Sequence, residues 1–300
     1  MRFTVDAAYD GALLRSFLKK EVGISTALLS RLKNHEQGIL QNGKRVTVRA
    51  VLRQGDVIDL AVEDEAPNEK VVPEATAVEV LFENSDLAVL NKPPFMATHP
   101  SSGHYTGTLA NALVHRYGGN FHARFINRLD RNTSGVVLVA KNALSAGALS
   151  GAMAAGEMQK TYFAVVEGEV SAPGRIDADI RRKPDSIMLR ETCPKGEGDA
   201  SLTLFEPVFA DQEYTLLRLT PKTGRTHQLR VHLASIGHPI LGDELYGMGS
   251  ALISRQALHA AALSFPLPGS GELKTVVAPF PGDLRALLER KGWEVRDCEP

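Results

Sequence analysis

Three hundred residues of 43% hydrophobic composition can bury one large core or two smaller ones. The two cysteines, Cys193 and Cys298, match no metal or redox spacing, and Met1-Arg2-Phe3 runs into Asp6 and Asp10 with no apolar signal-peptide core. No stretch reaches membrane-spanning length, so a soluble cytoplasmic protein with free thiols is expected. The net charge of −1 is unevenly spread: residues 1–62 carry ten Lys or Arg against six Asp or Glu, and residues 63–86 carry eight acids against Lys70 alone. A basic N-terminal module thus stands beside a short acidic segment, which keeps a polyanionic partner open.

The basic module, residues 1–62, reads as two helices and a hairpin. Leu14, Phe17 and Leu18 recur at helical spacing beside Arg15, Lys19 and Lys20, and Gly23 ends that helix. Ser25 is placed to cap a second helix, whose Leu28, Leu29 and Leu32 share a face flanked by Arg31 and Lys33. Asn42-Gly43 between strand-like residues of Ile39–Val46 is a strong hairpin signal, and Val57–Val62 reads as a strand after the Gly55-Asp56 turn. Over roughly residues 11–62 this pattern resembles the S4 domain, although Thr26 follows Ser25 where S4 domains commonly have Arg. The resemblance implies a small α/β RNA-binding module, with Arg31, Lys33, Lys44 and Arg45 on phosphates and a salt-sensitive affinity.

Residues 63–78, with Glu63-Asp-Glu-Ala-Pro67 and Pro73, read as an acidic linker. From residue 79 to 300 the pattern is mixed α and β. Val78, Val80 and Phe82 alternate, and Leu87-Ala-Val-Leu90 is an apolar strand that Asn91-Lys-Pro-Pro94 stops. Leu109, Leu113 and Tyr117 mark a helix. Next comes Ile126-Asn-Arg-Leu-Asp-Arg-Asn-Thr-Ser-Gly135, in which Asp130 sits between Arg128 and Arg131 ahead of a turn and the buried strand Val136–Val139. Residues 143–155 are Ala-rich and helical, and a strand over Tyr162–Val166 ends at Gly168.

In Thr223–Asp243, Thr226 is placed to cap a helix carrying Leu229, Leu233 and Ile236 on one face, with Gly237 ending it. Arg230 leaves about 100° from that stripe, and Arg225 stands just before the helix. His227 and His232, five apart, do not share a helical face and have no third ligand at a recognised spacing, so no metal is expected. His99, His238 and His259 read as loop or supporting histidines.

The central block resembles the catalytic motif of the RluA-type pseudouridine synthases, Arg-Leu-Asp followed after two residues by Thr-Ser-Gly. Gly224-Arg-Thr-His-Gln-Leu-Arg-Val-His, Gly237-His-Pro-Ile-Leu-Gly-Asp-x-x-Tyr246-Gly247 and Leu258-His259-Ala260 follow in the family's order, so the likeness covers about residues 80–280. Asn127 and Phe95 depart from it, where many members have His and Gly, and both are expected to alter the RNA entrance. The resemblance implies an α+β catalytic domain on a largely antiparallel sheet. It also implies that Asp130 is the catalytic acid, Tyr162 the active-site tyrosine and Arg230 the partner of Asp130. Arg128 and Arg225 would handle the RNA backbone or the vacated base position.

The reaction has need of such a set. Isomerising uridine breaks N1–C1′, joins C5 to C1′ and loses the C5 proton, and a carboxylate must face the ribose where positive character develops. Attack at C1′ and removal of the C2′ proton both require the ionised form, which burial disfavours and a fixed guanidinium favours. Tyr162 offers an aromatic face and a phenol for the C5 proton step. No atoms enter or leave, so no cofactor is implied. The expected partner is structured RNA, ribosomal RNA ahead of tRNA, met by a monomer. The alternatives are a non-catalytic ribosome-assembly protein and a nucleoside-cleaving enzyme that would release free uracil.

Overall fold

The computed structural model describes residues 1–24, 26–62, 71–101, 103 and 105–294. Ser25, Glu63–Pro67 and Cys298, named above, lie outside them. The N-terminal unit comprises β1 (Arg2–Thr4), α1 (Leu14–Lys20), α2 (Thr26–Asn34), β2 (Ile39–Gln41), β3 (Lys44–Arg45) and β4 (Val57–Leu60). Both helices form where their apolar stripes predict and bury Leu14, Phe17, Leu18, Leu28, Leu29 and Leu32 together. Asn42 (φ 52°) and Gly43 (φ 75°) take the left-handed geometry that closes a two-residue hairpin. The Asp56 carboxylate then accepts from Asn42, Gln41 and the Arg53 N–H, fixing the hairpin to the next turn. The strand expected to reach Val62 ends at Leu60, and β1, too short to show alternation, pairs antiparallel with β4.

The larger unit comprises β5 (Glu79–Glu83), β6 (Leu87–Lys92), α3 (Leu109–Tyr117), β7 (Arg124–Phe125), β8 (Ser134–Ala140), α4 (Ala143–Ala154) and β9 (Gln159–Glu167). It continues with β10 (Gly174–Asp177), β11 (Asp179–Arg182), β12 (Arg190–Cys193), β13 (Leu202–Ala210) and β14 (Tyr214–Pro221). The chain then forms α5 (Gln228–Ser235), β15 (Leu258–Pro266), β16 (Leu273–Val277) and α6 (Gly282–Arg290). Its main sheet runs β10-β13-β14-β9-β15-β8-β6-β5, with β7 added to β8 and β16 to β15. The pairs are antiparallel except β8 with β15, among the described residues. The expected α+β class on a largely antiparallel sheet is what the chain forms.

Residues 71–78 do not hang free as a linker. Asn111 on α3 donates to the Val72 carbonyl, and Glu74 accepts from the Gly107 N–H. The N-terminal unit rests on α4, where Ala143 and Leu144 pack against its core and Gly23 approaches Ala148.

One junction positions the site. All seven residues of β8 are buried, and β8 meets β15 only at Ser134 and Gly135 before β7 takes its edge at Val139 and Ala140. The loop from β7 to β8 therefore crosses the point where two central strands diverge. Gly135 makes the approach possible: its φ is +116°, and a Cβ there would lie 2.1 Å from the Ala260 carbonyl oxygen.

His259 lies inside this junction, on β15, so the loop or supporting reading gives way to a core histidine. Its Nδ1 meets the Ser134 hydroxyl at 2.9 Å and its Nε2 the Ala278 carbonyl at 3.1 Å. Burial lowers its pKa to about 4, against about 6.5 in an unfolded chain. Between those values the unfolded state binds the proton and the folded state does not, so stability falls as pH drops from about 6.5 to 4 and then levels, by about 3 kcal/mol. Urea unfolding at pH 7 and pH 4.5 measures this. The stability gap between wild type and His259→Gln is expected to shrink at the lower pH; an equal gap at both would remove His259 from the linkage.

Candidate active site

Asp130 lies in the loop Ile126–Thr133, and the junction beneath holds that loop at almost every residue. Ile126 N–H donates to the Leu138 carbonyl, while the Asn127 side chain donates to Val136 O and accepts from Leu138 N–H. Asn127 therefore pins the loop to β8 as well as lining the cleft. Thr98 donates to the Leu129 carbonyl, the Asp130 carbonyl accepts from Thr133 N–H, and Gln256 donates to the Thr133 hydroxyl.

Two buried cations complete the support. Lys92 has no exposed surface, and its ammonium donates to the carbonyls of Pro93, Met96 and Arg131. Burial, then the nearby Arg255, lowers its pKa to about 7 while Asp130 opposes the shift. The Arg255 guanidinium donates to the Asn132, Gln256 and Leu258 carbonyls and pairs with Asp283 of α6 at 2.6 Å.

Above the loop opens a cleft of about 590 Å³ lined by Asp130, Tyr162, Arg230, Arg128, Arg225 and Lys160, a size that suits one nucleotide. Arg230 projects from α5 and is buried. Its Nε and Nη2 engage Asp243 at 2.6 and 2.7 Å, and its Nη1 reaches Asp130 Oδ2 at 3.2 Å. Asp243 is fully buried, and it also accepts from the Leu245 and Tyr246 N–H groups. A bidentate pair thus fixes the guanidinium, and its remaining N–H points at the catalytic candidate. Burial works against the Arg230 charge, yet the carboxylates, Asp243 first, raise its pKa.

Tyr162 sits on β9 between Leu219 of β14 and Ala260 of β15. Burial, with the Asp130 charge adding to it, raises its pKa, so the phenol stays protonated. It therefore offers an aromatic face and a neutral O–H. Lys160, two residues earlier on the same face, donates to the Thr223 carbonyl, and burial lowers its pKa.

The structure brings together five of the residues singled out in the sequence: Asp130, Tyr162, Arg230, Arg128 and Arg225. Lys33, Lys44 and Arg45 are exposed on the N-terminal unit away from the cleft, and Arg31 lines a separate groove between that unit and α4. The helix start differs from expectation. Thr226 does not cap α5; His227 occupies the cap with φ 57° and makes no side-chain cap bond, while Gln228 ties the turn to Thr223, Leu202 and Thr203. Ile236 lies past the helix end and is exposed. Phe95 has φ +65°, where glycine is favoured, and does not line the cleft. Among the described residues no His, Cys, Asp or Glu cluster could hold a metal, and no helix is long and apolar enough to cross a membrane.

The chain matches the RNA pseudouridylate synthase family model over residues 86–235. It is 38% identical over 273 residues to an uncharacterized RNA pseudouridine synthase, YjbO, of Bacillus subtilis (strain 168), covering 90% of this chain and 96% of that protein. It is 34% identical to the ribosomal large subunit pseudouridine synthase D of Zymomonas mobilis, over 77% of each. The solved structure of human RNA pseudouridylate synthase domain containing 1 superposes with a TM-score of 0.57 at 28% identity, covering 71% of this chain and 89% of that one. With the family model spanning half its length and a relative this similar across nine-tenths of it, the chain belongs to the RNA pseudouridylate synthases, isomerases acting on RNA.

Proposed function

We propose that this isomerase converts uridines of large-subunit ribosomal RNA to pseudouridine, with Asp130 as the catalytic carboxylate. The observation that carries the reading is the Arg230–Asp130 contact inside a nucleotide-sized cleft walled by Tyr162. Asp130 faces the ribose of a flipped-out uridine, and Arg230, fixed by Asp243, donates to its Oδ2. Tyr162, as a neutral phenol, packs against the base. Flipping costs a few kcal/mol, which phosphate contacts from Arg128 and Arg225 offset.

The N-terminal unit acts as an S4-like module that adds phosphate contacts through Arg31, Lys33, Lys44 and Arg45. The name of the Zymomonas relative supports a ribosomal substrate. The site of action is the cytoplasm, with the RNA.

The test is tritium release from unmodified RNA labelled at uridine C5, run separately on ribosomal RNA and tRNA. Release from ribosomal RNA with no free uracil is expected. Release from tRNA alone would move the substrate, and free uracil would replace the isomerase with a hydrolase.

A further inference from the structure

The sequence marks His227 as a histidine without metal partners, within the Gly224–His232 block. The structure gives it a position that reading does not use. Its backbone is left-handed at φ 57°, which His, Asn and Asp tolerate better than most residues. That turn aims the ring into the cleft, where Nε2 stands 3.8 Å from Asp130 Oδ2. Arg230 Nη1 approaches the same oxygen at 3.2 Å. Both groups thus stand on Oδ2, and among the described residues Oδ1 accepts no hydrogen bond.

The far side of the ring is held as well. His227 Nδ1 lies 2.8 Å from the Tyr246 hydroxyl, and that hydroxyl oxygen accepts the Arg190 N–H at 2.9 Å. With Oη already an acceptor, its own proton is best used toward Nδ1, which leaves the single ring proton of a neutral histidine on Nε2. Tyr246 also lies under the Arg230 guanidinium, 5.1 Å from ring centroid to Cζ, and edge-on to His227. One aromatic residue therefore touches both groups that reach Asp130.

We propose that His227 is a positioning residue of the pseudouridine reaction: Tyr246 holds it as the Nε2–H tautomer, and that N–H closes onto Asp130 Oδ2 when RNA fills the cleft, leaving Oδ1 to meet the ribose. The inference rests on Asp130 being the catalytic carboxylate. The closure needed is about 1 Å, within the tightening that hydrogen bonds in empty active sites undergo.

Burial favours the neutral ring. The groups facing it are Asp130 from the β7–β8 loop, Arg230 from α5, Asp243 and Tyr246 from the segment after α5, and Arg190 from β12. Burial lowers the His227 pKa, with Arg230 and Arg190 assisting and Asp130 and Asp243 opposing. The ring is thus a neutral donor at pH 7, and it supports the carboxylate without taking its proton.

A purely architectural role, tying β12 to α5 through Tyr246, is the competing account, and the split between kcat, KM and thermal stability separates the two. His227→Asn keeps a residue suited to the left-handed backbone but does not reach Asp130. Tyr246→Phe keeps the ring over Arg230 and removes the hydroxyl, so the other tautomer, which turns a lone pair toward Asp130, becomes available. In tritium release from ribosomal RNA, each is expected to lower kcat about 10–100-fold with KM within about 3-fold. The loss falls on kcat and not on thermal stability, because what is removed is the donor to Asp130 Oδ2. His227→Gln, whose amide N–H reaches as far as Nε2, recovers part of the rate.

Rate losses in both variants that follow their losses of thermal stability, with no recovery in His227→Gln, overturn the proposal in favour of architecture. Wild-type kcat in His227→Asn overturns it outright. Asp130→Asn in the same assay separates the two levels: an inactive Asp130→Asn beside a fully active His227→Asn removes the His227 role alone, whereas an active Asp130→Asn removes the reading beneath it.

Discussion

Asp130→Asn is expected to lower tritium release by more than about 10⁴-fold, the scale of loss when a group acting at the reacting atoms is removed, while the protein melts within a few degrees of wild type. Geometry separates the two effects. Asp130 is about 30% exposed in its side chain and accepts one direct bond from Arg230. The fold is held one layer below, by the backbone bonds of the Ile126–Thr133 loop and by the Arg230–Asp243 pair. The amide is isosteric and leaves that layer intact, but it cannot carry the charge that either chemical route requires. Activity within tenfold of wild type would refute the assignment of Asp130.

Asp243→Asn is expected to be the reverse kind of lesion, damaging both fold and rate. The Asp243 side chain has no exposure and accepts two charge-assisted bonds from Arg230. Removing one member of a buried ion pair leaves the other charge uncompensated, which costs about 3–5 kcal/mol. Guanidinium N–H groups freed from Asp243 turn toward Asp130, and the fixed orientation of Nη1 is lost. Urea denaturation gives the stability change, and the residual tritium release, about 100-fold down or more, gives the loss of orientation. A change under about 1 kcal/mol would mean that water or another acceptor shares Arg230.

The sequence carried the proposed reacting groups further than the groups that hold them. Asp130 and Arg230 sit in ordered blocks, Tyr162 opens a legible strand, and Asp243 and Tyr246 lie in the Gly-Asp-x-x-Tyr-Gly block without an evident task. Lys92 read only as part of a strand stop, and Arg255 carried no signal at all. A buried cation that solvates backbone carbonyls has no spacing rule, because any residue offers a carbonyl and the ones that tie it to the loop, at Arg131 and Asn132, lie far along the chain. The α1 and α2 stripes were legible because helical burial recurs every three or four residues. Three-residue β1 offered no period to read, and Thr226 failed as a cap because the left-handed turn at His227 moved the helix start. The position of the N-terminal unit on α4 depends on a face of small residues, whose composition reads equally well as ordinary helix.

The long reach of the central contacts has a kinetic consequence. Asp130 and Arg230 are separated by 100 residues, and Ser134 and His259 by 125. Loops of that length must close before such contacts return any energy, so their entropy cost falls early and their reward late. The helices of the N-terminal unit depend on neighbours close in sequence and can form sooner. During synthesis Asp130 emerges well before Arg230, and β8 before the β15 strand it pairs with. A newly made molecule therefore acquires its outline before its chemistry.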